Sequence, residues 1–332
     1  MITERIDPQD PAAFDEWHGA MTEATTAGRE FAVAWPREEM RIAMNQPTPY
    51  FERELWAARD DAGQLVGVLY LDLPQKDNTS LVSVDLAVVP DRRRQGYGTA
   101  LAERLDERVA HHGRSIVHTM VHSPLGEEAA GQAFARAQGL TMGLSDLHRI
   151  LQLPLDQAFL EELAAELAEH HRDYRLVTWR DRCPDELVDA YAALESTFLA
   201  EAPMGDLEME AEVWDAARVR SREEQSRLQG RRGWVAAAVA PDGSLAGMTE
   251  LFVPTHDEVN AFQSGTLVAP AHRGHRLGLA LKVLNHLELQ RSHTAPRVLH
   301  TWNAEENTAM NAVNARLGYR PVELTGEWQR KI

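Results

Sequence analysis

One cysteine, Cys183, serves a chain of 332 residues, so no internal disulfide framework exists. No His or Cys spacing resembles a zinc site either, and no metal is expected. Long hydrophobic runs are missing: the longest, such as Trp234 to Ala240, fall far short of the ~18 residues that span a bilayer, which argues against a membrane partner. Basic residues are outnumbered, 34 Lys and Arg against 51 Asp and Glu. The resulting charge of −17 repels a nucleic acid backbone and favours cationic partners. Met1 to Asp7 lacks the apolar stretch of a secretory signal, so a cytoplasmic location is expected. What remains is ordinary for a globular chain, 44% hydrophobic and 26% charged, and its length suits two domains.

The same series of landmarks occurs twice: a Trp-led strand, a turn, Leu-Val-Gly or Leu-Ala-Gly, a strand ending in Pro, then a basic glycine loop. Gly67 answers to Gly247, Pro90 to Pro270 and Gly98 to Gly278, each 180 residues apart, while Gly139 and Gly318 are 179 apart. A period that long means duplicated domains and not a solenoid.

In the first half, Asp10-Pro11 reads as an N-cap followed by a helix to about Thr26. Leu65 to Leu73 and Leu81 to Val89 read as strands around a polar turn. Leu101, Leu105 and Val109 place one apolar stripe on a helix that begins near Gly98. Ser115 to His122 returns as a strand, Glu128 to Gln138 as a helix, and Gly139 stands where a left-handed cap belongs. Between the halves, Phe159, Leu160, Leu163 and Leu167 among acids mark an amphipathic connecting helix. The expected domains are therefore 1–155 and 173–332, joined by 156–172. Each is an α+β unit with a mixed, mostly antiparallel sheet flanked by helices.

Val84 to Leu101 is the segment richest in chemistry: a strand ending at Pro90, a turn with Arg92, Arg93 and Arg94, and a helix start at Gly98. Unpaired N–H groups at such a junction converge on one point. The helix dipole adds positive charge, and glycines let a pyrophosphate approach the backbone. Neither this loop nor its repeat has the dinucleotide fingerprint of a parallel sheet, and no Gly-Lys-Ser or Gly-Lys-Thr for nucleotide hydrolysis occurs. A Gly-x-Ser-x-Gly elbow is also missing, so a covalent acyl-enzyme has no support.

The loop resembles the acyl-CoA pyrophosphate loop of the GNAT N-acyltransferase superfamily: Gln or Arg, two residues, Gly, one residue, then Gly or Ala. Arg93, Gly96 and Gly98 occupy those places. In the second half Arg273 and Gly278 match, but Arg276 stands where the inner Gly belongs, a substitution that a negative φ would tolerate. The resemblance extends to an Asn-led helix and a Gly-aromatic pair, here Asn307, Met310 and Gly318-Tyr319. It implies two tandem GNAT-like acyl-CoA N-acyltransferase domains. Acetyl-CoA would be held by Val88, Arg93, Arg94, Gln95, Gly96, Tyr97, Gly98 and Thr99 in one half. In the other it would meet Val268, Arg273, Gly274, His275, Arg276, Gly278 and Asn307.

The implied reaction is direct attack by a primary amine of a small molecule on the thioester, in a ternary complex and without a metal. The amine is mostly protonated at pH 7, so a base, reached directly or through water, must take its proton. Glu250 and Asp85, each on a strand near a loop, are the candidates; each also fits a plain surface or capping carboxylate. In the family a Tyr seven residues beyond the Asn often protonates the thiolate. Asn314 holds that place and is expected to contact the thioester or order a water. The first half has Glu128 and Ala135 at the corresponding places, so which half turns over stays open. A non-catalytic acyl-CoA sensor is the rival reading, and the chain is expected to be a monomer or homodimer.

Overall fold

A computed structural model describes residues 2–332. Two compact units emerge. The first comprises the chain up to Ser145 together with Met204–Glu210 and Leu324–Ile332, and the second comprises Asp146–Pro203 and Ala211–Glu323.

The first unit opens with β1 (Ile2–Ile6), α1 (Pro11–Thr26) and α2 (Arg37–Asn45). There follow β2 (Phe51–Arg59), β3 (Leu65–Pro74), β4 (Leu81–Val88), α3 (Tyr97–His111), β5 (Ile116–Pro124), α4 (Ala130–Ala137) and the start of β6 (Thr141–Gln152). Strands β1 to β4 are neighbours in chain order and antiparallel. The β4–β5 pair is parallel, from Leu81↔Ile116 to Val84↔Thr119, which requires the crossover that α3 supplies. The other neighbour of β5 is the end of the chain, where the Ile332 N–H donates to the Ser115 carbonyl at 2.9 Å.

Local chemistry explains these elements. The Asp10 side chain accepts from the Ala12 and Ala13 amides, and Pro11 fixes the first helical φ. Leu101, Leu105 and Val109 form the buried stripe of α3 against Leu69, Leu71 and Val82. On the other face Phe14 and Trp17 are fully buried against Leu55 and Val68, and the Trp17 indole N–H donates to the Trp56 carbonyl at 2.9 Å. Buried Glu54 is paired with Arg108, Trp56 and His112. Those bonds outweigh the burial and hold its carboxyl down at about 2.

The second unit takes over β6 at Asp146 and continues with α5 (Gln157–Leu167), β7 (Arg175–Arg180), α6 (Val188–Glu195), α7 (Phe198–Glu201) and α8 (Ala216–Leu228). Then come β8 (Arg231–Val239), β9 (Leu245–Pro254), β10 (Asn260–Val268), α9 (Leu277–Ser292), β11 (Val298–Ala304), α10 (Thr308–Leu317) and the start of β12 (Arg320–Lys331). Its sheet order is β6-β11-β10-β9-β8-β7, with only β10–β11 parallel. The amphipathic segment after Gln152 is α5, capped by Asp156, with Leu160, Leu163 and Leu167 buried in the core that also contains Leu279, Val283 and Leu287 of α9.

The repeat seen in the sequence is a structural one: β3 and β9 begin at Leu65 and Leu245, and α3 and α9 at Tyr97 and Leu277. Its Leu-Val-Gly and Leu-Ala-Gly glycines meet different neighbours. A Cβ on Gly67 would come 3.0 Å from a Leu101 methyl, which can rotate aside, whereas one on Gly247 would come 2.8 Å from the Leu267 carbonyl oxygen, which cannot. No helix among the described residues is long and apolar enough to cross a membrane. G247A should therefore lower the unfolding free energy by about 2–3 kcal/mol and G67A by about 1 kcal/mol, read from urea midpoints of the two variants.

Candidate functional site

In each unit a strand ends in a single 3-10 turn, Pro90–Arg92 or Pro270–His272, and a helix starts a few residues later. Two residues in each intervening loop lie in the left-handed region: Arg94 (φ 62°) and Gly96 (φ 92°) in one, Gly274 (φ 91°) and Arg276 (φ 55°) in the other. The positions correspond, and each loop has one glycine and one arginine in opposite order. Arg276 thus corrects the expectation of a negative φ: it adopts the conformation that a glycine would, because the loop must turn there to open α9.

Among the described residues, the amides of Arg94 to Thr99 and of Gly274 to Leu279 find no acceptor within the chain. That leaves at each helix start a run of unpaired backbone donors of the kind that cradles phosphate groups. The arginines at the head of the motif serve a different end. Arg93 Nε donates to the Val88 carbonyl at 3.0 Å and Arg273 Nε to the Val268 carbonyl at 3.3 Å, so each braces the loop against its strand, and Arg273 is paired with Glu201 at 2.5 Å. Gln95 bonds the Asp91 carbonyl, Tyr97 packs on the core, and His275 meets the His170 carbonyl at 3.3 Å.

Beyond each loop the parallel strands part. Pairing of β4 with β5 ends at Val84↔Thr119 and that of β10 with β11 at Phe262↔His300, although all four strands run on. The units then differ. In the first, Tyr70 faces Asp85 one to one. In the second, Gln263 pairs with Leu251 and Thr266 with Thr249, so Ser264 and Gly265 together oppose Glu250 as a β-bulge.

Beside that bulge lies a cavity of about 300 Å³, lined by β7, α6, α7, α8, β8, β9 and β10. Glu250 reaches into it. Tyr191 Oη donates to Glu250 Oε2 at 3.3 Å; Arg222 Nη2 donates to Tyr191 Oη at 2.8 Å and to Glu195 Oε1 at 3.0 Å, and stands 3.8 Å from Glu250. Burial raises the Glu250 carboxyl above the ordinary glutamate range, opposed by the Arg222 charge. Trp179, Phe198, Met248 and Phe252 give the cavity apolar walls. Asp85 has no such chamber. Burial and the neighbouring Asp72 push it up to about 6, against the pull of His118.

The asparagine series resolves into separate jobs. Asn307 caps α10, its Oδ1 accepting from the Met310 amide, and Asn311 ties the Ala304 and Glu305 carbonyls. Asn314 is fully buried: its Oδ1 accepts from Lys282 Nζ at 2.8 Å and its Nδ2 donates to Asn303 Oδ1 at 2.6 Å. His118 and His122 face Glu327 and Thr325. Sequence reasoning singled out neither Tyr191 and Arg222 nor Lys282. The last had a visible signal, a charge in the apolar run Leu279-Ala-Leu-Lys-Val-Leu284.

Residues 17–139 match the family model described as Acetyltransferase (GNAT) family. The chain is 28% identical over 332 residues, 99% of it and 95% of the relative, to the mycothiol acetyltransferase of Salinispora arenicola (strain CNS-205). It is 29% identical over 266 residues, 79% of it and 76% of the relative, to the protein of the same name from Salinispora tropica. Among solved structures, a tandem GNAT protein from the clavulanic acid biosynthesis pathway superposes with a TM-score of 0.79 at 27% identity, covering 99% of this chain and 98% of that one. A GCN5-related N-acetyltransferase from Sphaerobacter thermophilus shares the fold, with a TM-score of 0.66 at 14% identity over 99% of this chain and 95% of that one.

A left-handed non-glycine residue costs about 1–2 kcal/mol. R276G should accordingly stabilise the protein by about 1 kcal/mol and G274A destabilise it by a similar amount, measured as opposite shifts of the thermal midpoint.

Proposed function

We propose that this chain is a tandem GNAT-type acetyltransferase whose second unit transfers an acetyl group from acetyl-CoA to the primary amine of a small molecule by direct attack. The observation that carries this reading is Glu250, set opposite the β-bulge and projecting into an aromatic-walled cavity. When bound, acetyl-CoA supplies an activated thioester carbonyl. The amides of Gly274 to Leu279 grip its diphosphate, and the parted strands β10 and β11 leave a slot for its arm. The bulge frees backbone N–H groups beside the slot to hold the carbonyl oxygen.

Glu250 then accepts the proton of the attacking amine. A carboxyl raised by burial is the better base near neutral pH, and Arg222 keeps it ionised enough to act. Tyr191 fixes its orientation. The mixture of Glu195, Glu223 and Asp181 with Arg222, Arg227 and Arg231 around the cavity suits a cationic amine that also bears polar groups. The relatives named mycothiol acetyltransferase support a small-molecule acceptor.

In the first unit the observations favour binding without turnover. Its loop has the donor cradle, but β4 has no bulge, and a Cβ on Gly98 would lie 3.3 Å from the Phe134 ring, whereas one on Gly278 would meet nothing nearer than a Val268 methyl at 3.8 Å. Asp85, a half-buried carboxyl beside Asp72, faces no bulge, and we assign it no part in proton transfer.

E250Q should lower kcat at least 100-fold, followed by release of the CoA thiol across a panel of amines, while D85N stays within about twofold of the parent. Because the Glu250 carboxyl titrates above its ordinary value of 4.5, parental kcat/KM should climb with pH through a limb displaced upward from that value. E250Q should lack the limb; a parental limb at the ordinary position, or full activity in E250Q, removes Glu250 from the reaction.

A further inference from the structure

Lysine is scarce in this chain. Of 34 basic side chains only Lys76, Lys282 and Lys331 are lysines, and Lys282 is 1% exposed. No carboxylate pairs with it among the described residues. Its Nζ donates to Asn314 Oδ1 at 2.8 Å and lies 5.2 Å from the centre of the Tyr319 ring. The groups that face it are His286 from α9, Asn314 from α10 and Tyr319 just before β12, while α5, packed against α9, adds only the apolar Leu160, Leu163 and Leu167 to that core. Burial brings the ammonium down to about 7 and, with Lys282 beside it, the His286 imidazolium to about 3, so His286 is neutral.

The fold itself does not require this arrangement. In the first unit the corresponding positions are Ala102, Ala135 and Leu140, all buried and apolar. A lone buried ammonium is costly, and apolar replacements of similar volume are usually neutral or stabilising. Its presence in one unit alone points to a charge that the protein must meet at some stage of its work.

The direction of the hydrogen bonds says where. A lysine has no acceptor, so Asn314 must turn its Oδ1 toward Lys282 and its Nδ2 toward Asn303. Asn303 then accepts with Oδ1 and presents Nδ2 outward. That Nδ2 has no acceptor among the described residues. Asn303 lies on β11 past the last position paired with β10, Phe262↔His300, so it borders the slot between the parted strands. Every donor in the chain Lys282–Asn314–Asn303 points one way, and both amide dipoles are aligned to favour negative charge at its open end.

We propose that Asn303 is a further catalytic residue of the second unit, its Nδ2 donating to the sulfur of the departing thiol group, and that Lys282 is the positioning residue whose charge orients and polarises the chain behind it. This rests on the acetyl-transfer reading given above. As the bond from amine nitrogen to carbonyl carbon forms, the C–S bond breaks with its electron pair left on sulfur, and the amine proton passes to Glu250. The Nδ2–H stabilises the sulfur charge without being transferred, and the thiolate takes a proton from solvent on release.

The test compares K282M, K282R and N303A with the parent. K282M and N303A should lose about 100-fold in kcat with KM for acetyl-CoA little changed. K282M should melt no lower than the parent, which separates the role from a structural one. Parental kcat should fall as pH rises past about 7, where Lys282 loses its proton; K282R, charged throughout, should not show that fall. Free CoA titrated into the protein and read by the ultraviolet absorbance of its thiolate should be about tenfold more ionised at pH 7 on the parent than on K282M. An active parent with K282M within twofold in kcat, with the same fall in K282R, or with equal ionisation of bound CoA overturns the inference alone. A parent that acetylates no amine overturns the acetyl-transfer reading and the inference together.

Discussion

Backbone donors left without an acceptor among the described residues shape both repeats. Each loop carries its strand into a helix while leaving six amides unpaired among the described residues, and it turns through two left-handed residues two positions apart. Only one of the two is glycine in either loop, so each loop holds some backbone strain at an arginine. The arginine at the head of the motif braces this shape by bonding the end of its strand. Charge on the loops is secondary to that arrangement, since guanidinium groups that point into solvent are screened whereas amides at a helix start are fixed.

The units have kept this cradle and diverged around it. In the second, one extra residue in β10 opens the sheet opposite Glu250, and polar side chains replace the apolar packing between α9 and α10. In the first, β4 stays in register, Ala102 and Ala135 fill the space, and Phe134 leans on Gly98. Two copies of one architecture thus differ less in their frame than in whether its joints are open.

Much of the frame was legible locally. The Asp10-Pro11 cap, the four-residue stripe of α3, the Gly139 cap and the 180-residue spacing each follow from short-range chemistry that tertiary packing leaves unaltered. The site was less legible, because its features are relations between distant residues. A bulge shows only when β9 lies beside β10. Glu250 could be picked out as a strand carboxylate, but Tyr191 and Arg222, on helices with no marked pattern, gain meaning only from converging on it. Asn314 was found through the family motif, yet its partner Lys282 lies 32 positions earlier on another helix. The sign of φ at residue 276 is likewise a property of the loop as a whole, which overrides the preference of the arginine placed there.

The first unit draws nine residues, Leu324–Ile332, from beyond the second unit, and Trp328 within them is part of its apolar core. A chain emerging from the ribosome therefore completes its earlier-made unit only after residues 324–332, which follow the whole of the second unit, have been translated. The usual order, in which an N-terminal domain finishes before its successor begins, is closed to this molecule.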